Sequence, residues 1–577
     1  MALPYQDIAS GPLQDALDHA MAQMREQRIV ERILDRDHTV WKPQPDEIVN
    51  RLGWLDSPAV MAEEVEGIDA FVDSVRSAGF THALLLGMGG SSLAPEVFRR
   101  VFGVADGFLD VRILDSTDPA AISKSFGASD PASTLYLPAT KSGGTVETLS
   151  LLKYAYRQAI DALGPTAPDH FVAITDPGSG LADLATRLNF RHVFLNDPDI
   201  GGRYSALSMF GLVPAALCGI DIRALLQSAE GAVDELKSLC VAAPSVLLGT
   251  LLGCAALHGR DKLTLAASPT LEPMGVWIEQ LIAESTGKQG HGIVPIEGEP
   301  VVPAPTYGAD RLFVVSRLAS EAVDEDHLQT LEHSGHPMAR INIGSTAELG
   351  AELLRWEVAT VIAGHLLQIN PFDQPDVESA KIQARSMVSS YLEQGSLPPT
   401  PTTFTDQGIS VSTDLNSTVL AATTIKGILQ YILESAADAE NADSSSYLAF
   451  QAYLPPSPTT HEALLQLRHG FLRINGQATT AGYGPRFLHS TGQLHKGDAG
   501  KGLFVQITCD DAIDLDIPDE AEADSSSMSF GVLIKAQAMG DAEALIQGGR
   551  RVIRLHLGAG IEPGLRTLCS SIDSFSR

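Results

Sequence analysis

The residues with the clearest chemical purpose are Tyr136-Leu137-Pro138-Ala139-Thr140-Lys141-Ser142-Gly143-Gly144-Thr145-Val146-Glu147-Thr148. An apolar strand, Ser133 to Leu137, runs into hydroxyls, two glycines and a lysine, and a helix opens at about Thr145. Such a loop can hold an anion: glycines let backbone N–H groups converge, hydroxyls donate further, and the helix N-terminus adds partial positive charge. A glycine-rich turn with a threonine cap would account for the stretch taken alone. The pattern recurs, however. Thr81 to Gly87 is an apolar strand ending in Gly87-Met88-Gly89-Gly90-Ser91-Ser92 and followed by helix. Two such βα turns of one sheet would hold a phosphorylated small molecule between them.

Other groups suit the remaining steps of a reaction on such a molecule. Gly201-Gly202-Arg203-Tyr204-Ser205 sets an arginine on a glycine pair at the ligand edge of the sheet, where a permanent charge can neutralise an oxyanion. Gln280 and Glu284, four apart, share a helix face, and Ser285-Thr286-Gly287-Lys288 ends that helix. A carboxylate there can serve as a general base. Gln374 and Lys381 lie one heptad apart after a turn fixed by Asp373 and Pro375. Gly87-Met88-Gly89-Gly90-Ser91-Ser92, with Asp115 ending the next strand, invites a dinucleotide reading; Ser92 stands where the fingerprint needs its third glycine. Asp115 to Asp118 and Asp176-Pro177-Gly178 read as turn and cap residues.

The bulk properties narrow the class. With 71 acidic against 40 basic residues and a formal charge of −31, the chain argues against a nucleic-acid or anionic-membrane surface. An anionic substrate therefore needs local positive charge. Five cysteines (Cys218, Cys240, Cys254, Cys509, Cys569) lack CxxC spacing, so neither a zinc site nor a disulfide framework is expected. The compartment should be reducing. Met1 to Asp18 has no basic and apolar leader pattern, and the longest apolar runs are short, so the expectation is a soluble cytoplasmic protein.

At 577 residues the chain has room for three or four domains. Residues 1–80 read as a helical N-terminal arm. From Thr81, strands and helices alternate through residues 81–235, which implies a five-stranded parallel sheet with its ligand at the carboxyl ends of the strands. A second α/β unit covers residues 236–395, with strands expected at Gly292–Pro295, Leu312–Ser316 and Met338–Ile343. Gly395 to Thr403 is a linker by composition. Residues 404–577 form a third α/β segment with two acidic, serine-rich surface loops, Ala436–Ser446 and Asp519–Ser527. It echoes the second unit. Trp277–Gln280 with Gly292–Ile296 is matched by Leu488–Gln493 with Gly502–Ile507, and His336–Gly344 by Arg551–Gly558.

Taken together, Gly87–Pro95, Leu114–Pro119, Thr140–Thr148, Gly201–Ser205, Gln280–Lys288 and Asn370–Lys381 resemble the motifs of the glucose-6-phosphate isomerase family, in that family's order. The likeness is closest to the isomerase half of bifunctional transaldolase/glucose-6-phosphate isomerases. About 80 residues stand before the first strand, too few for a (β/α)8 barrel of roughly 250. The resemblance implies tandem sugar isomerase (SIS) domains, each a five-stranded parallel sheet flanked by helices. It implies an aldose–ketose isomerase that needs no metal and no cofactor, and it is compatible with a homodimer.

Residue by residue, the resemblance places the phosphate-binding serine on Ser91 beside Gly90, and the phosphate loop on Thr140, Lys141, Ser142 and Thr145. It gives Arg203, beside Gly202, to the enediolate, Glu284 to the proton transfer and Gln280 to substrate binding. Gln374 and Lys381 match a glutamine and a lysine near the sugar ring and its oxygen. One position departs. The family's Gly-Gln-His, whose histidine helps open the ring from a neighbouring subunit, falls on Gly308-Ala309-Asp310. His291, His336 and His489 are the substitutes to look for, and His495 shares a polar loop with His489. The expected activity is interconversion of glucose 6-phosphate and fructose 6-phosphate. Its rivals are an enzyme that also isomerises mannose 6-phosphate, and a sugar-phosphate-binding SIS protein without catalysis.

Overall fold

The structure, a computed structural model, describes residues 5–413, 422–437 and 446–576; most of the acidic loop expected at Ala436–Ser446 lies outside them. Strands form where apolar runs can be buried on both faces. Helices form where apolar residues return every three or four positions.

The chain begins with a strand rather than a helix: β1 (Gln6–Ala9) adds antiparallel to the edge of the second unit's sheet. Three helices follow, of which Ser57–Ser77 leads into the first unit. There β2 (His82–Gly87), β3 (Asp110–Leu114), β4 (Thr134–Ala139), β5 (Val172–Thr175) and β6 (His192–Leu195) form a parallel sheet in the order β3-β2-β4-β5-β6. After β6 a short turn at Gly202–Tyr204 is followed by the helix Met209–Leu217.

A single helix, Ile222–Leu239, runs through position 235 into the second unit. The second sheet contains a strand that the sequence pattern missed, β7 (Lys262–Ala267), with β8 (Val294–Ile296), β9 (Arg311–Leu318) and β10 (Met338–Ile343). The order β1-β10-β9-β7-β8 makes it four parallel strands plus the antiparallel β1, not five parallel strands. The physical reason is chain economy. The exposed edge of β10 is covered by the N-terminal segment instead of a fifth crossover.

The third unit holds β11 (Phe404–Asp406), β12 (Ile409–Thr413), β13 (Tyr447–Tyr453), β14 (Ala478–Tyr483), β15 (Gly502–Thr508), the small hairpin β16 (Asp516–Ile517) and β17 (Met528–Ser529), and β18 (Arg551–His556). Its main sheet runs β11-β12-β18-β15-β13-β14. Numbered within each unit, the first four parallel strands lie in the order 2-1-3-4 in all three sheets. Strands β10 and β18 are both fourth strands, so the His336–Gly344 and Arg551–Gly558 match coincides with this order. The other match is out by one strand: Gly502–Thr508 corresponds to β9, and the counterpart of β8 is β14.

The first two units share one continuous apolar core, which includes Trp54, Leu85, Phe210, Trp277 and Trp356. The third has its own, built on Leu448, Phe471, Val505 and Ile553. The loop 519–527 is mostly exposed, but Ala521 is buried and with Ile517 and Phe530 packs onto the first unit. Among the described residues no single helix is long and apolar enough to cross a membrane.

Candidate functional site

The first unit's glycine turn is shaped by close approach. Gly89 has φ +55°, and a Cβ there would lie 2.8 Å from the Gln280 amide; a Cβ on Gly90 would lie 2.0 Å from the Gly202 carbonyl oxygen. Only glycine lets the backbone of the first unit touch both the arginine turn and the helix Met274–Thr286 of the second. Ser92 donates to Asp115 at 3.1 Å, and Arg486 of the third unit lies 3.3 Å from the same carboxylate. Asp115 is thus tied into a structural network, which leaves the dinucleotide reading no ribose acceptor. Ser91 is buried in the turn, its N–H donating to the Met88 carbonyl at 3.1 Å.

Arg203 is buried and heavily bonded. Its Nε donates to Ser285 Oγ at 2.7 Å, Nη1 to Gln374 Oε1 at 2.9 Å, and Nη2 to the carbonyls of Pro371 at 2.7 Å and Asp373 at 3.0 Å. Glu284 Oε1 lies 3.3 Å from Nη1. The stacked Tyr204 and Trp54 rings back this group with centroids 5.5 Å apart, so the N-terminal segment supports the site. Gln280 is 3% exposed; its Nε2 donates to Glu284 Oε2 at 3.1 Å and to the His489 carbonyl at 2.8 Å. Its Oε1 is buried with no partner among the described residues, an acceptor left open. Of the expected residues, Gly90, Gly202, Arg203, Gln280, Glu284 and Gln374 therefore form one contiguous cluster, with Gly89 packed against Gln280.

The hydroxyl loop is reached through one residue. Thr140 and Thr145 share a hydrogen bond of 2.9 Å, and Gly144 N–H donates to Ser142 Oγ at 3.3 Å. Thr145 caps the helix Val146–Leu163, whose first turn carries the buried Glu147. His489 Nε2 lies 2.9 Å from Glu147 Oε1, while its carbonyl accepts from Gln280. His489, from the third unit, thus spans the gap between the loop and the Glu284 cluster. Lys141 is turned aside, bonded to Asp176 and, at 2.7 Å, to the Pro198 carbonyl. The hydroxyls and the helix end are the loop's remaining anion-directed groups.

Several expected residues stand elsewhere. Lys381 is half-exposed, 3.9 Å from Glu378, and bonds no member of the Arg203 cluster. Asp310 lies 3.8 Å from the buried Lys262 ammonium. His336 is buried against Phe313, and burial holds its pKa below the ordinary histidine value. His291 is exposed and lines a cleft with Asp261, Asp498 and Lys501. His495 is enclosed by Tyr447, Phe487 and Phe504, and burial pushes it far below the usual range. His336 and His495 are thus enclosed by aromatic rings from neighbouring elements.

Sequence reasoning missed Lys288. Its ammonium is fully buried and donates to Asp373, 2.8 Å from Oδ1. Burial, and then the nearby Arg203, push its pKa down to about 8. It anchors the Asn370–Asp376 turn that presents carbonyls to Arg203. Its place directly after the Gln280–Thr286 helix was visible, but nothing local signalled burial. Glu147 was equally unmarked, sitting within the loop motif as an ordinary first-turn acid.

Residues 47–295 match the phosphoglucose isomerase family. A glucose-6-phosphate isomerase of Rubrobacter xylanophilus is 31% identical over 375 residues, 55% of this chain and 85% of that protein. One from Citrifermentans bemidjiense is 29% identical, over 58% and 74% of the two chains. Among solved structures, a hypothetical protein of Thermus thermophilus superposes with a TM-score of 0.57 at 24% identity, covering 67% of this chain and all of its own. A glucose-6-phosphate isomerase of Chlamydia trachomatis gives 0.57 at 18% identity, over 67% and 88%. With a relative so similar over most of its length, and the same fold, the chain belongs to the phosphoglucose isomerase family.

Proposed function

We propose that this chain is a glucose-6-phosphate isomerase, which interconverts glucose 6-phosphate and fructose 6-phosphate through a cis-enediolate at the Arg203–Glu284 cluster. The observation that carries the reading is the carboxylate of Glu284 3.3 Å from a guanidinium fixed by four hydrogen bonds, at the junction with a hydroxyl-lined turn. A binding module would need only the turn.

In this reading the phosphate sits against Ser91, Thr140, Ser142 and Thr145 at the start of the helix Val146–Leu163, where N–H groups and hydroxyls converge. Glu284 takes the proton from C2 of the open-chain aldose, the electron pair moves to form the C1–C2 double bond, and the carbonyl oxygen at C1 becomes the enediolate oxygen. The hydroxyl proton on O2 then passes to O1, and as the carbon-bound proton is returned to C1 the O2 electron pair forms the carbonyl at C2, which gives the ketose. Arg203 faces the developing negative charge without rearranging, since its other donors are already satisfied. Gln280 holds Glu284 by one oxygen and offers its free Oε1 to a sugar hydroxyl. Gln374, fixed by Arg203, is exposed toward the ligand side. The five thiols, none in a disulfide, suit a reducing compartment such as the cytoplasm.

The test is to supply the purified protein with fructose 6-phosphate and couple it to a glucose-6-phosphate reporter. Glu284→Gln keeps the shape and loses the base, so kcat should fall at least roughly 10²-fold while KM stays within a few-fold. A variant that keeps most of its turnover removes Glu284 from the role of base.

A further inference from the structure

The second and third units meet in a way characteristic of two copies of one subunit. Their four parallel strands share the order 2-1-3-4, and each has an antiparallel strand, β1 or β12, on the outer side of the fourth. They face each other through the same edge strand, β8 against β14. The contact is also reciprocal. From the helix after β7, Gln280 donates to the His489 carbonyl beyond β14 at 2.8 Å. From the helix Pro458–Asn475 after β13, Arg468 donates to the carbonyls of Glu297 at 2.7 Å and Gly298 at 3.1 Å, beyond β8. A contact in which each copy's helix serves the other copy's loop is isologous, the geometry of a two-fold dimer.

The two copies have diverged in what they hold. After its third strand the first unit places Thr140-Lys141-Ser142-Gly143; the third unit places Asp510-Asp511 there, which would repel a phosphate. Instead, the third unit's segment from Phe487 to Gly497 is laid over the end of the Met274–Thr286 helix. A Cβ on Gly287 would lie 2.3 Å from Leu494 Cα, and the fully buried Gln493 donates to the Gly287 carbonyl at 2.9 Å and to Asp376 at 2.6 Å. This packing fixes the backbone of His489 on Gln280, one hydrogen bond from Glu284. The His489 ring lies against Glu147, which also accepts from Gln537 of the third unit at 2.7 Å. The His489 side chain keeps 20% of its surface exposed. Burial alone would raise Glu147's pKa, but the adjacent imidazole keeps it below the ordinary value, so the carboxylate is charged and can accept the hydrogen bond that orients the ring.

We propose that the third unit is an in-chain stand-in for a second subunit, which carries Asp510-Asp511 where the first unit has its hydroxyl loop and supplies His489, oriented by Glu147, as the acid that opens the sugar ring. This rests on the isomerase reading. In the step, the anomeric hydroxyl releases its proton to water and its electron pair forms the carbonyl. The bond from C1 to the ring oxygen breaks, and that oxygen takes the proton from the imidazolium, which is then reprotonated by solvent. For fructofuranose the same exchange occurs at C2. Glu147 is a positioning residue.

The experiment compares two substrates on the full chain: fructose 6-phosphate, which must be opened, and 5-deoxyfructose 6-phosphate, which lacks the hydroxyl that closes the ring and is always open. His489→Ala should slow turnover of the cyclic sugar by roughly 10²-fold and raise the open-to-cyclic activity ratio by a similar factor. His489→Asn, which keeps an N–H for Glu147 and so preserves docking, should raise the same ratio, and Glu147→Gln should raise it by less. Equal slowing on both sugars would make His489 structural and overturn the proposal, as would no slowing on either. Glu284→Gln must lose both activities. A wild-type protein inert toward both sugars would instead sink the isomerase reading, and this proposal with it.

Discussion

The second and third units share a strand order, yet one is built to react and the other to hold. The difference is concentrated in how each interfacial helix uses its donors. Gln280 splits its amide between Glu284 and the His489 carbonyl and leaves Oε1 open. Arg468, equally buried at 3%, makes four hydrogen bonds: to Glu297, to Gly298, and to both the hydroxyl and the carbonyl of Thr479. A group with one valence open, next to a carboxylate, can meet a ligand. The same fold and the same contact thus yield a clamp on one side and a site on the other.

The comparison breaks most visibly at Arg468. Arg468→Met would leave the Glu297 and Gly298 carbonyls without their donor in a buried seam, at a cost of about 3 kcal/mol. Calorimetry should show the unfolding transition lowered by several degrees. The corresponding Gln280→Leu should cost less stability and far more turnover. If the two variants lost stability and activity in the same proportion, the division of labour between the helices would be wrong.

A smaller effect is expected in the first unit, at the hydroxyl turn before the helix Val146–Leu163. Thr145→Val with Ser142→Ala removes two of the donors proposed for the phosphate, each worth about 1.5–3 kcal/mol when the acceptor is charged. KM should rise at least about tenfold with kcat nearly constant, because the phosphate is held equally in ground and transition states. Unchanged KM would make the loop structural.

A pH-dependent effect concerns how tightly the two copies meet. Glu279, half-buried on the Gln280 helix, is pushed up to about 8, first by burial and then by Glu297. Its pKa is thus raised on folding from an unfolded value near 4.5. Between these values the folded chain binds more protons, so stability falls as pH rises through the window, and the penalty is complete above pH 8. Glu279→Gln should flatten this slope and raise the melting temperature at pH 8.5 more than at pH 5. Parallel melting curves for the two proteins across that range would remove Glu279 from the account.

What the sequence determined by itself is local. Alternating apolar runs and helical repeats located the first unit's strands to within about two residues, as at His82–Gly87 and Thr134–Ala139, because burial on both faces demands continuous apolar residues. Glycine and hydroxyl turns were legible for the same reason: their conformation is set by the residues themselves. Strand β7 escaped because it opens on Lys262, a buried charge that Asp261 at its side and Asp310 across the sheet help to hold. Strand β1 escaped because four residues acquire a strand's hydrogen bonds only from β10, more than 300 positions away. The site divides in the same way. The positions of Arg203, Gln280 and Glu284 could be read from local motifs, whereas the burial of Lys288, the turning of Lys141 to Asp176 and the meeting of His489 with Glu147 could not. Those were decided by tertiary structure, since a side chain's partner across hundreds of residues leaves no mark on its own neighbourhood.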